Sequence, residues 1–220
     1  EIVSLQKEAD CFTLRTRTGE TLHAGTVIYA AGTSYRRLSV PGAELLGVSY
    51  CATCDGLFYQ GQEVAVIGGG DKAFDDALYL SRLASRVYLI HRKTSPRAGA
   101  LLQKQAAETE NIRLLSETQV TAVLGESRVT GLRILREGEE QTLPVRGVFT
   151  AIGSVPNTGL LTDLGVLDAQ GYVMAGEDCV TAVPGLLAAG DVRTKPLRQV
   201  ITAAADGANA AAAAESYLRK

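Results

Sequence analysis

Two cysteines separated by two residues, Cys51-Ala52-Thr53-Cys54, precede an aspartate, Asp55. A tight turn at this spacing can close a disulfide, and a nearby helix end or cation can lower one thiol pKa. Asp55 could carry a proton to or from a leaving thiolate. Two other readings of the pair stand beside this one. Half of a zinc site would need four ligands, but Cys11 and Cys179 are isolated and His23 and His91 have no paired spacing. Two buried structural thiols are the other, and an adjacent carboxylate argues mildly against them.

A second set of residues could hold an anion. Val64–Ile67 is a short apolar run, as expected of a strand buried on both faces. Gly68-Gly69-Gly70 then makes a glycine turn, and Asp71-Lys72-Ala73 opens a helix whose inner side carries Ala73, Phe74, Ala77, Leu78, Leu80 and Leu83. Gly68, Gly70 and Ala73 fit the G-x-G-x-x-A dinucleotide pattern. In that pattern a pyrophosphate approaches the turn and faces the N–H groups of the helix start. The next strand, Arg86–Ile90, runs into His91, Arg92 and Lys93, with Arg97 following. An NAD site places Asp or Glu at that point. The basic cluster suits a 2′-phosphate instead, so the sequence points to NADPH; a solvated basic edge with no ligand is the other reading.

The elements that must position these groups follow an α/β pattern. Ile2–Leu5, Cys11–Thr16 and Thr21–His23 read as antiparallel strands. Gly25–Gly32, Gly147–Gly153 and Leu186–Gly190 each read as a buried strand ending in glycine. Ala98–Glu110 has helical spacing, Ile112–Leu115 is a strand, and Val120–Leu124, Val129–Arg136 and Gln141–Val145 form a meander. Pro156-Asn157 breaks the chain. Gln199–Leu218 is an Ala-rich helix, apolar on most faces and therefore expected to be packed. The organisation is nested: residues 33–155 form one nucleotide-binding domain, and residues 1–32 with 156–220 form another that it interrupts.

The chain has 220 residues, 46% hydrophobic and 21% charged, with a net charge of −2. That balance gives no sign of nucleic acid or an anionic membrane surface as partner. No apolar run reaches the length of a membrane span, no signal peptide is visible, and no metal site is evident. Four cysteines with two singletons do not make a secreted disulfide scaffold, so a reducing cytoplasm is expected. Cys11 and Cys179 read as small hydrophobic residues, and His23 as a surface residue.

The ordered set of Cys-Ala-Thr-Cys-Asp, the glycine turn, His-Arg-Lys with a later Arg, Gly190-Asp191 and Arg198-Gln199 resembles the low-molecular-weight, bacterial-type thioredoxin reductases over nearly the whole chain. The resemblance implies two nested Rossmann-like domains of three-layer β/β/α type, an FAD domain interrupted by an NADPH domain, as in the pyridine nucleotide-disulfide oxidoreductases. It implies FAD and NADPH as cofactors, thioredoxin as partner and a homodimer. Cys51 would attack the thioredoxin disulfide, Cys54 would take electrons from the flavin, and Asp55 would be the acid–base partner. Gly68, Gly69, Gly70, Asp71, Lys72 and Ala73 would surround the NADPH pyrophosphate and ribose, and His91, Arg92, Lys93 and Arg97 the 2′-phosphate. Ile152 and Gly153, at the end of their strand, are further cofactor candidates. Gly190 and Asp191 match the turn that binds the FAD ribityl chain. Arg198, Gln199 and Val200 match a helix start facing the flavin pyrimidine. The segments around Gly32–Ser34 and Gly153–Pro156 would be hinges for a domain rotation.

The sequence departs from the family pattern at four positions. Lys72 stands where Ser or Thr is usual, Asp75 and Asp76 where two Glu are usual, and Lys93 where Arg is usual. Lys binds phosphate as a point charge without a bidentate fork. The family's N-terminal glycine fingerprint for FAD is absent, so the FAD domain is expected to be incomplete at its N-terminus, with apolar surface exposed on the strands in Gly25–Gly32 and Leu186–Gly190. Alternative functions are a flavin disulfide reductase using ferredoxin or a peroxiredoxin-linked carrier, and an NADPH-binding module without turnover.

Overall fold

The computed structural model describes residues 1–9 and 11–219. The chain divides into two compact units, Glu1–Ser34 with Ser154–Lys220, and Tyr35–Gly153.

The discontinuous unit begins with an antiparallel sheet of β1 (Ile2–Lys7), β2 (Phe12–Thr16) and β3 (Thr21–Ala24). Cys11 falls just outside β2. The chain continues through β4 (Val27–Tyr29) to β5 (Thr33–Tyr35).

The inserted unit holds β6 (Val48–Ser49), α1 (Ala52–Asp55), β7 (Glu63–Ile67), α2 (Asp71–Leu80), β8 (Arg86–Ile90), α3 (Ala100–Glu108) and β9 (Ile112–Leu115). It then adds β10 (Thr118–Gly125), β11 (Val129–Arg136), β12 (Glu139–Leu143) and β13 (Gly147–Thr150). Strands β6, β13, β7, β8 and β9, in that order, form a parallel sheet. The alternation of side chains explains its two cores. Val64, Val66, Val87, Leu89 and Phe149 face α2 and pack with Ala73, Phe74, Ala77 and Leu80. Ala65, Ile67, Tyr88, Ile90 and Val148 face the other way, onto Val120, Val123, Val129, Leu132 and Ile134 of the β10–β11–β12 meander. The result is three layers: helices, parallel sheet and antiparallel sheet. A strand covered on both faces must be apolar at successive positions, which is why Val64–Ile67 shows no alternation.

The chain returns to the discontinuous unit through β14 (Ser154–Pro156), which pairs with β5. Pro156 thus ends a strand where the sequence suggests a break. Strand β15 (Leu186–Ala188) pairs in parallel with β4, and α4 (Val200–Leu218) follows. Leu5, Phe12, Tyr29, Leu161, Val173 and Leu186 form one apolar cluster. Cys179, Leu187, Ala189, Ala210 and Ala214 form another.

Two expectations about this unit are refined. Helix α4 is packed, as expected, but through a narrow stripe: Ala210 and Ala214 join Leu187 and Ala189, with Asp206 buried beside them, while Val200 and Ile201 are 85% and 72% exposed. Exposed apolar surface on the two strands is confined to β4, where Ile28 is exposed, because Leu186, Leu187 and Ala188 of β15 are all buried.

Candidate functional site

The parallel sheet places the redox-type residues at the carboxyl ends of its strands. Beyond β6, Cys51 and Cys54 are joined in a disulfide across the short helix α1. The N–H groups of Cys54 and Asp55 both donate to the Cys51 carbonyl, at 3.2 and 3.1 Å, which winds the segment into one turn. Cys51 is half-buried and Cys54 exposed. Asp55 is half-buried and accepts a 2.7 Å hydrogen bond from the Ser49 hydroxyl. The same Ser49 oxygen accepts the Cys51 N–H at 3.1 Å. Nothing in the sequence pattern singles out Ser49. Tyr59 stands with its ring edge on Phe149, at 5.4 Å between centroids. Burial, with the nearby Asp55 charge adding to it, raises the Tyr59 phenol above its ordinary pKa.

A cleft of about 580 Å³ opens at the carboxyl ends of β7 and β8. Gly68, Gly69, His91, Arg92, Lys93, Arg97 and Ile152 are among the residues that line it. The basic segment is tied to the glycine turn by its main chain: the Arg97 N–H donates to the Gly69 carbonyl at 2.6 Å, and the Ala98 N–H to the same oxygen at 3.2 Å. Arg92, Lys93 and Arg97 are exposed. Helix α2 starts beyond Gly70, and among the described residues no side chain caps it. A Cβ at Gly70 would meet no atom of the described residues within 4 Å, so the turn is open on that side.

His91 differs from its basic neighbours. It is 5% exposed, its Nε2 lies 3.0 Å from the Ser116 hydroxyl, and its Nδ1 is buried without a partner among the described residues. Burial lowers its pKa, and a main-chain hydrogen bond at Lys93 offsets part of this. His91 therefore enters the cleft as a neutral group at pH 7.

The structure gives three of the candidate residues other partners. The Asp71 carboxylate accepts the Gly99 N–H at 2.8 Å and so fastens the start of α3. Lys72 pairs with Asp76 one turn along α2, and burial raises the Asp76 carboxyl although Lys72 opposes the shift. Gly153 has φ of +107°, is exposed, and accepts the Arg36 N–H at 3.0 Å.

The discontinuous unit holds the other candidates. Gly190 turns with φ of +80°, and Asp191 follows with Oδ1 buried and, among the described residues, unpartnered. The Arg198 Nε donates to the Asp191 carbonyl at 3.2 Å, and its guanidinium lies 4.2 Å from the Tyr172 ring centroid. At the start of α4 the Gln199 side chain accepts the Thr202 N–H, while the Thr202 hydroxyl accepts the Gln199 N–H at 3.1 Å. Val200 is exposed. Behind this turn lies a buried ion cluster. Asp206 takes Arg193 through both oxygens, at 2.8 and 2.6 Å, and accepts Lys195 at 2.7 Å and the Gly190 N–H at 2.8 Å. Burial alone would raise the Asp206 carboxyl; these four donors hold it far below the usual carboxylate range. The cluster fixes the Gly190–Asp191 turn from behind.

The residues present suit an NADPH site and one part of an FAD site. The cleft, the open glycine turn and three exposed cations suit a nucleotide with a 2′-phosphate. The unpartnered Asp191 oxygen beside a positive-φ glycine suits a hydroxyl-bearing chain. Among the described residues no group of three or more His, Cys, Asp or Glu is placed to hold a metal, and no helix is long and apolar enough to cross a membrane.

This combination of a disulfide and a nucleotide cleft on a three-layer unit is that of a nucleotide-linked disulfide reductase. Residues 1–207 match the pyridine nucleotide-disulphide oxidoreductase family, and the chain belongs to it. It is 44% identical to the thioredoxin reductase of Treponema pallidum over 223 residues, which covers 99% of this chain and 72% of that protein. It is 46% identical to the bifunctional thioredoxin reductase/thioredoxin of Mycobacterium leprae, covering 92% of this chain and 46% of that one. The crystal structure of thioredoxin reductase from Streptococcus pyogenes superposes with a TM-score of 0.92 at 36% identity, over 100% of this chain and 73% of that one. The chain thus spans between about half and three quarters of the length of these relatives.

Proposed function

We propose that the protein works as a thioredoxin reductase, taking electrons from NADPH and delivering them through the Cys51–Cys54 disulfide to thioredoxin. The observation that carries this reading is the closed Cys51–Cys54 disulfide in the same unit as the basic nucleotide cleft. FAD, when bound, would relay the two electrons of the NADPH hydride to the disulfide.

The roles of the chain's own residues follow from their chemistry. Arg92, Lys93 and Arg97 hold the NADPH 2′-phosphate, and the Gly68–Gly70 turn admits its pyrophosphate. His91 shapes that pocket as a neutral ring. Asp71 and Lys72 act on helix geometry, because their side chains are engaged with Gly99 and Asp76. Asp191 offers its free oxygen to FAD, and Arg198, Gln199 and Val200 shape the helix start beside it. Once the pair is reduced, the Cys51 thiolate attacks the thioredoxin disulfide and expels one thiolate. Cys54 then attacks Cys51 Sγ, frees the second thioredoxin sulfur and closes the Cys51–Cys54 bond again. Asp55 moves the proton between the thiols. The unpaired state of Cys11 and Cys179 supports a reducing, cytoplasmic setting, and the family resemblance supports a homodimer.

The test is NADPH-dependent reduction of thioredoxin by the purified protein and by its Cys51→Ser and Cys54→Ser variants. The reading requires turnover in the parent and its loss in both variants. Turnover surviving in either variant overturns it.

A further inference from the structure

We propose that Ser49 is a positioning residue for Asp55, setting its carboxylate for proton transfer at the Cys51–Cys54 pair. The inference deepens the reductase reading and rests on it for the role of the pair.

Ser49 is 5% exposed and closes β6. Its main chain is fixed by the parallel sheet, in register with Phe149, and its carbonyl accepts the Thr150 hydroxyl at 3.3 Å. Its hydroxyl has one proton to give. The Asp55 Oδ2 stands at 2.7 Å and the Cys51 carbonyl at 3.4 Å, so the proton goes to the carboxylate. The oxygen is then free to accept the Cys51 N–H at 3.1 Å. One buried hydroxyl therefore grips both ends of the Cys51–Asp55 turn.

That grip matters because α1 is a single turn of four residues, with Asp55 at its end. A half-buried carboxylate there would otherwise sample several rotamers. A hydroxyl bond to an ionised carboxylate is charge-assisted and stronger than a neutral one. In the closing step of exchange, Cys54 Sγ–H gives its proton to the Asp55 carboxylate. The Cys54 thiolate attacks Cys51 Sγ, and the bond from Cys51 to the partner sulfur breaks with its electron pair on that sulfur. Asp55 returns the proton there. The dithiol loses two electrons, and the partner disulfide gains them. A carboxylate turned away from the pair serves neither proton step.

The test uses the full chain and dithiothreitol as reductant, which needs neither cofactor. The reaction is quenched with iodoacetamide, and modification of the peptide carrying Cys51 and Cys54 is followed by mass spectrometry. Ser49→Ala should slow reduction about tenfold, as expected for a misplaced catalytic group. Ser49→Thr, which keeps the hydroxyl, should recover most of the rate. In an Asp55→Asn background, Ser49→Ala should change the rate by less than about twofold, because coupled residues are not additive. An undiminished effect of Ser49→Ala in that background overturns the proposal, as does a parental rate in Ser49→Ala itself. Asp55→Glu carries the same test without altering the buried site: the longer side chain misplaces the carboxylate and should also slow reduction. A parental rate in Asp55→Glu overturns the proposal too. The NADPH-to-thioredoxin assay on the parent protein is a separate reading. Its failure would remove the reductase assignment and leave the Ser49–Asp55 coupling to be judged on the dithiothreitol rates.

Discussion

A Cβ placed on Gly68 would stand 2.4 Å from the carbonyl oxygen of Ala151. The turn after β7 is thus pressed against the chain leaving β13, and Gly68 has φ of +153°. Only glycine meets both conditions without strain. Gly68→Ala should cost about 1–3 kcal/mol of stability and empty the nucleotide cleft. Gly70→Ala, with no atom within 4 Å of its Cβ, should cost less than about 1 kcal/mol. Denaturant midpoints and NADPH titration of the two variants check this contrast.

Removing the charge from Asp206 should be among the most damaging single changes. Its side chain and that of Arg193 are 3% and 2% exposed. Asp206→Asn leaves two buried cations underpaired, at a cost of about 3–5 kcal/mol. The pH dependence has a definite sign. The folded carboxyl lies below the ordinary value of 3.8, so its contribution is fully present above that pH. It is lost as the pH falls below 3.8 towards the folded value. Thermal melts between about pH 5 and 2 should therefore drop more steeply for the parent than for Asp206→Asn.

His91 makes a separate prediction at milder pH. Burial holds its folded pKa below the ordinary 6.5. Above 6.5 the ring is neutral in both the folded and unfolded states. Below 6.5 the unfolded chain takes up a proton that the buried ring resists, so stability falls with pH. Melting profiles from about pH 7 to 5 should slope less in His91→Gln than in the parent.

The three exposed cations of the cleft should distinguish the two nicotinamide nucleotides. Arg97→Ala and Arg92→Ala should each weaken NADPH binding about tenfold and leave NADH binding within about twofold. The NADPH affinity of the parent should fall with added salt, because these charges are solvent-exposed. Calorimetric titration at two salt concentrations measures both effects.

The local patterns were legible in the sequence because each lies within a few residues. The apolar run Val64–Ile67, the glycine turn and the helix from Asp71 are set by neighbours in the chain, and the two-sided core explains the run's continuous apolarity. The reading of Gln199–Leu218 as a packed helix holds, but the sequence does not say which face packs. Alanine satisfies helix propensity whether buried or exposed, so an Ala-rich stretch does not reveal which face packs. Asp206 carries no local signal, because its partners Arg193 and Lys195 are 13 and 11 positions away. The engagement of Asp71 with Gly99 spans 28 positions, which no local pattern reports. The Lys72–Asp76 pair is different: its i,i+4 spacing was a signal available in the sequence. Ser49 carries no motif, and only the register of β6 beside β13 brings its hydroxyl to Asp55.

If the protein is a reductase of this kind, NADPH electrons reach the Cys51–Cys54 disulfide. The most direct measurement is to add NADPH anaerobically to the purified protein supplied with FAD, quench with iodoacetamide, and count modified sulfurs on the peptide carrying Cys51 and Cys54. Both sulfurs should become alkylated as NADPH is consumed, with none modified when NADPH is omitted. NADPH oxidation that leaves this disulfide intact would contradict it.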